Sequence, residues 1–157
     1  MAAVTISLTN LKSEVKKHLS VIGKRTYTKD GKNMFSNITV STAEDQIIDQ
    51  YLVNASQALN AALHQFVTTW SVSGSNLSVE LVNARNDANF QAKTKEYIET
   101  YMTLFATGDY LAMTHPELAP KYKEDVASAL QSLMMYVYYK IPITPTANPL
   151  SPTVVVT

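Results

Sequence analysis

In a chain without cysteine, reactive chemistry falls to histidine, the carboxylates and tyrosine. His18, His64 and His115 sit on three different predicted elements, so the close clustering that a metal site needs is missing. Glu44, Asp45 and Asp49 gather at the start of a predicted helix, where carboxylates favour the positive end of the helix dipole without implying acid–base work. Four glycines supply no phosphate-cradling loop, and no GxxxxGK, GxGxxG, GxSxG or HExxH pattern occurs. The absent cysteines also remove a disulfide scaffold, a thiolate zinc site and thiol catalysis. The residues therefore assign no catalytic group, no metal and no cofactor, and the expectation is a protein that is not an enzyme.

What the polar and aromatic residues can do is make contacts. Seven of the nine tyrosines follow residue 96, and Tyr136, Tyr138 and Tyr139 close the final predicted helix. The tyrosines read as amphipathic core-edge side chains whose hydroxyls reach water, or as an interface that uses tyrosine's large and conformationally cheap contact area. The three at the end cannot share one helical face, so at least one leaves the core stripe and is available to a partner. After them runs Pro142 to Thr157, in which four prolines among sixteen residues remove backbone donors and forbid helix. Such a tail builds no core of its own. Its apolar residues Ile143, Leu150, Val154, Val155 and Val156 need a neighbouring surface.

The formal charge is zero but unevenly spread. Lys12, Lys16, Lys17, Lys24, Arg25, Lys29 and Lys32 stand against Glu14 and Asp30 between Leu11 and Lys32, leaving an acidic remainder. The segment reads as a solvated helix face and basic loop, or as a contact for a polyanion or for the acidic face of another copy. Tyr27 is its one aromatic residue, and sequence-specific nucleic-acid recognition has no signature here.

The elements that position these residues follow from periodicity. Thr5 to Leu8 alternates as a short strand, and Thr9 or Asn10 caps a helix over Leu11 to Ile22 that Gly23 stops. Lys24 to Asn37, with its Asp30-Gly31 turn signal, reads as a long loop or a loose hairpin. Ser41-Thr42-Ala43-Glu44 has the form of a capping box, and Ile47, Ile48, Tyr51, Leu52, Ala55, Leu59, Ala62, Leu63 and Phe66 then give a long central core helix. Trp70 to Val82 alternates as a hairpin around Gly74, marginal unless something covers it. Phe90 to Phe105 is helical up to Thr107-Gly108, with a further turn before His115-Pro116. Pro120 fits the first turn of a last helix, whose stripe is Val126, Leu130, Leu133, Met134 and Val137. The expected fold is mainly α: three to four helices with an inserted β-hairpin near 70–82 in a domain over 1–141, then an extended proline-rich arm over 142–157.

Apolar residues make up 46% and charged residues 17% of the 157, which is the balance of a folded domain with a real core. No run approaches the roughly 20 apolar residues that span a bilayer, and Met1 to Leu8 lacks the form of a signal peptide, so folding in a host cytoplasm away from membranes is expected.

Set in order, a short first helix, a long helix with an acidic cap from Ser41 to Phe66, a hairpin, and a final helix ending in the tyrosine-rich Ala127–Ile141 resemble the small head–tail connector, or adaptor, proteins of tailed bacteriophages. The resemblance is one of pattern and covers roughly Leu11 to Pro142. It implies a virion component at the head–tail junction, a ring of about twelve copies with cyclic symmetry, whose partners are itself, the portal protein and tail or neck proteins. In such a ring the basic segment meets the acidic face of the next copy or lines a channel and touches DNA without sequence preference. The longer Lys24–Asn37 and Tyr110–Pro120 regions and the proline-rich tail depart from the compact family pattern. An alternative of another class is a small helical bacterial binding or regulatory protein whose basic first helix holds an acidic partner.

Overall fold

The computed structural model describes residues 2–25, 42–82 and 88–140. Its elements are strand β1 (Ala2–Ser7), helices α1 (Leu8–Arg25) and α2 (Thr42–Leu63), strands β2 (Val67–Ser73) and β3 (Asn76–Leu81), and helices α3 (Ala88–Thr114) and α4 (Ala119–Lys140). The architecture is mainly helical, four helices against one three-stranded antiparallel sheet. Ser41, the loop expected after Arg25 and the proline-rich arm lie outside the described residues.

The expected hairpin is present but belongs to a larger sheet. Strand order is β1-β3-β2, so the N-terminal strand pairs with β3 and places it at the centre. Val4 lies opposite Val79 and Ile6 opposite Leu77, and because paired residues point to the same side, these four form one apolar face, all buried. Trp70 and Val72 of β2 lie opposite Val79 and Leu77 and extend this face. The hairpin turns at Gly74, whose φ of 57° favours glycine. A third strand and the covering helices supply the stabilisation that a lone hairpin lacks.

Helix α1 starts earlier than the cap expected at Thr9 or Asn10. The Ser7 hydroxyl accepts the Asn10 backbone N–H at 3.4 Å, and the Leu8 N–H donates to the Ser75 carbonyl at 2.7 Å, tying the first turn to the hairpin. Leu11, Val15 and Leu19 are buried at four-residue spacing. Gly23 does not stop the helix, which continues to Arg25. In α2 the stripe Ile48, Leu52, Ala55, Leu59 and Leu63 is fully buried, whereas Ile47 is exposed. Phe66 lies beyond the helix, in a turn held by its N–H to the Leu63 carbonyl at 2.8 Å.

The central helix is α3 and not α2. Its 27 residues reach about 40 Å and touch α1, α2, α4 and β1. It is continuous through Thr107-Gly108, where a stop was expected, because Gly108 is buried against α4: a Cβ there would sit 3.2 Å from Tyr122 Cβ. His115 leaves the helix as the following proline requires, and four residues later α4 begins antiparallel to α3, with Pro120 in its first turn. Leu133 and Val137 are fully buried, and Tyr122, Val126, Ala129, Leu130 and Tyr136 pack against the same core.

Candidate functional site

The helix register sends the tyrosines at the end of α4 in different directions. Tyr136 turns inward, stacking on Phe90 with centroids 5.6 Å apart and meeting Tyr97 at 5.3 Å. Offset and tilted aromatic pairs of this kind stabilise packing, so Tyr136 joins α3 to α4. Tyr138, 58% exposed, points out. Tyr139 lies in the last turn of α4, and Ile143, Leu150, Val154, Val155 and Val156 lie outside the described residues.

Tyr138 is not alone. Met134, expected on the core stripe, is instead 36% exposed, and with Met135, Tyr138 and Phe66 it lines a shallow, almost wholly apolar concavity of about 340 Å³. Met134 and Tyr138 are i and i+4, and Met135 and Tyr138 are i and i+3, so the three share a face one step round from the Leu133–Val137 stripe. Methionine and tyrosine suit such a surface, since one adapts its shape and the other supplies rigid area. The patch ends at the residue range from which the arm departs.

Three lysines of α1, Lys12, Lys16 and Lys17, find their anions within the chain. Lys12 pairs with Asp49 at 2.7 Å and Lys16 with Asp45, both carboxylates on α2, while Lys17 pairs with Glu14 one turn away at 2.6 Å. The acidic opening of α2 thus serves its helix dipole and clamps α1 to α2 at once. Lys24 and Arg25 lie in the last turn of α1, and Lys29 and Lys32 lie outside the described residues. Partly exposed pairs of this kind contribute little stability each, and they leave the inner part of the basic segment electrostatically matched.

Between α2, α3 and α4 a second polar group collects. Burial pushes the Tyr51, Tyr101, Tyr110 and Tyr122 phenols above their ordinary 10.0, with further upward contributions from Asp109 on Tyr51 and Tyr101, Glu44 on Tyr110 and Asp125 on Tyr122. The Tyr110 hydroxyl donates to Glu44 Oε1 at 3.2 Å. Raised phenol pKa values keep these hydroxyls neutral, which favours hydrogen bonding over nucleophilic or basic chemistry. Asp109 is likewise pushed up from 3.8 by burial, with Lys123 pulling partly the other way. A carboxyl whose folded pKa is raised keeps its proton longer in the folded than in the unfolded state, so stability is lost as pH rises from the unfolded value through the folded one. Asp109→Asn is expected to raise the melting temperature at neutral pH and to flatten its decline as pH rises above the unfolded carboxylate value; a lowered melting temperature would show that the Lys123 attraction outweighs burial.

His18 on α1, His64 after α2 and His115 before α4 are not brought together, and among the described residues no group of three histidine, aspartate or glutamate side chains could hold a metal ion. No described helix is long and apolar enough to cross a membrane. Phe66 is buried as its place on the α2 stripe implies, whereas Met134, expected in the core, is exposed beside Met135; the legible trace of this surface is the i, i+1, i+4 grouping of Met134, Met135 and Tyr138. The chain matches no family model, no curated protein and no solved structure.

Proposed function

We propose that this chain is a structural assembly protein, a head–tail connector of a tailed bacteriophage that forms a homo-oligomeric ring between the portal and the tail or neck. The observation that carries the reading is the exposed Met134–Met135–Tyr138 surface on the last turns of α4, floored by the buried Phe66 and directly before the arm. Apolar side chains grouped in this way favour contact with another polypeptide. The ordering of helices and the tyrosine-rich end of α4 support the connector class through the resemblance to that family. The rival, a binding protein that holds an acidic partner on α1, draws less support, because Lys12, Lys16 and Lys17 already face carboxylates of their own chain.

Light scattering across concentration and salt, alone and with a candidate portal protein, tests the proposal. A discrete ring-sized species in either setting is expected. Tyr138→Asp is expected to weaken that assembly by about tenfold or more while leaving the melting temperature almost unchanged, since a charge is placed in an interface that the folded monomer leaves open. A persistent monomer in both settings would overturn the reading, and salt-sensitive binding to an acidic protein without a ring would move it to the rival.

A further inference from the structure

Strand β2 is an edge of the sheet: β3 pairs with it on one side, and among the described residues no strand pairs on the other. Alternate residues of an edge strand turn their N–H and C=O groups away from the sheet, a template for another strand. Exposed edges are ordinarily protected by lysine, proline or a covering element. β2 reads Val-Thr-Thr-Trp-Ser-Val-Ser, with no charge and no proline, and most of its residues are exposed. A register irregularity between Val67 and Thr69 is its one departure from regular pairing. Phe66, whose buried side chain lines the apolar concavity at the end of α4, is the residue immediately before β2, so the concavity adjoins the start of this strand.

The same chain contains a segment of matching chemistry. Thr153-Val154-Val155-Val156-Thr157 is five β-branched residues without charge or proline, the composition that best fits a pleated strand. It follows Pro142, Pro145, Pro149 and Pro152. A proline at every third or fourth position gives a semi-rigid spacer of about 3.1 Å per residue, so residues 142–152 span on the order of 34 Å, about the length of a 22-residue helix. In sequence the spacer begins two residues after the end of α4, the helix whose Met134, Met135 and Tyr138 line the concavity.

We propose that Thr153–Thr157 of one copy adds as a fourth strand to the free edge of β2 in a neighbouring copy. This rests on the self-assembly reading above and names the contact through which it occurs. Neither strand carries charge, so their pairing meets no like-charge penalty, and the main chain supplies the affinity.

The absence of cysteine allows a direct test in the full-length chain. One variant carries Ser71→Cys on the exposed edge and a second carries Val155→Cys; the two are mixed and treated with a short thiol-to-thiol cross-linker. The expected product is a dimer of one chain of each kind, in excess over either variant joined to itself and over Val155→Cys mixed with Met113→Cys, a control at another exposed residue. Val155→Pro, which removes a strand donor outside the described core, is expected to weaken self-association by about tenfold or more with an unchanged melting curve. Predominant Ser71–Ser71 products would identify edge-to-edge pairing between copies and overturn the proposal. Dilution-independent linkage within a double variant would place the arm on its own chain and overturn it equally. If rings form but Val155→Pro leaves them intact and no mixed dimer appears, the arm contact is wrong and the assembly reading stands; a chain monomeric alone and with a portal loses both.

Discussion

Ile6→Ala is expected to lower unfolding stability by about 2–5 kcal/mol, the usual range for emptying a fully buried aliphatic site. Ile6 has no exposed surface and lies opposite Leu77 on the apolar face of the sheet. Few neighbours can close the gap, because β1 is held in register along its whole length with β3 and its partner face is covered by α3. Thr5→Ala, on the opposite and exposed face, is the matched control and is expected to change stability by about 0.5 kcal/mol or less. Urea denaturation followed by Trp70 fluorescence would read both. Trp70 is the sole tryptophan, and its indole N–H donates to the Ser56 hydroxyl at 3.1 Å, so it reports loss of the contact between β2 and α2. Equal, small effects of the two substitutions would mean that β1 is an appendage and that the hairpin is stabilised by helices alone. With total stability of about 5–15 kcal/mol for a typical domain, the expected loss is large enough to bring part of the population to the unfolded state at physiological temperature.

Gly108→Leu is expected to be comparably damaging, by about 3 kcal/mol, the upper part of the range for overpacking a closed interface. A Cβ alone at this position comes within 3.2 Å of Tyr122 Cβ, and a leucine adds three further carbons where Gly108 of α3 meets Tyr122 of α4. Gly108→Ala separates the two forces acting there. Alanine gains about 1 kcal/mol of helix propensity over glycine and meets one contact that α4 can relieve by a shift of a few tenths of an ångström, so its net effect is expected to be small. The pair of variants, compared by thermal unfolding and by near-ultraviolet circular dichroism of the surrounding tyrosines, measures the closeness of the α3–α4 approach. A neutral Gly108→Leu would show that α4 is loosely seated and that the patch on its last turns has no fixed position.

Much of the fold is legible in local patterns. Four-residue spacing in α1 marks Leu11, Val15 and Leu19, and alternation marks Leu77, Val79 and Leu81; all six are buried. The His115-Pro116 break and Pro120 place the α3–α4 turn. These signals work because side-chain period and backbone restriction are properties of the chain within a few residues. Glycine was misleading for the same reason: Gly23 and Gly108 both lie inside helices where stops were expected. A glycine carries no local mark that separates a helix end from a close approach between helices, and at Gly108 the deciding neighbour, Tyr122, is fourteen residues away.

The candidate surface was half legible. That Tyr136, Tyr138 and Tyr139 could not all face the core follows from helical geometry, and Tyr138 is indeed exposed. Which tyrosine turned inward depended on Phe90 and Tyr97 of α3, and the exposure of Met134 depended on where α4 rests against α3. A stripe of five apolar positions on α4 is wider than the contact it makes, so periodicity alone could not assign its border.

By itself the sequence determined the helical character of the chain, the hairpin around Gly74 and most of the core stripes, since each depends on composition and short-range spacing. Only the tertiary structure decided that the first strand completes the sheet, that α3 and not α2 is central, that Lys12 and Lys16 meet Asp49 and Asp45 of their own chain, and that β2 is left as an edge beside the Met134–Tyr138 surface. Those outcomes join residues tens of positions apart. Their energies come from burial and charge pairing across elements, which no local period encodes.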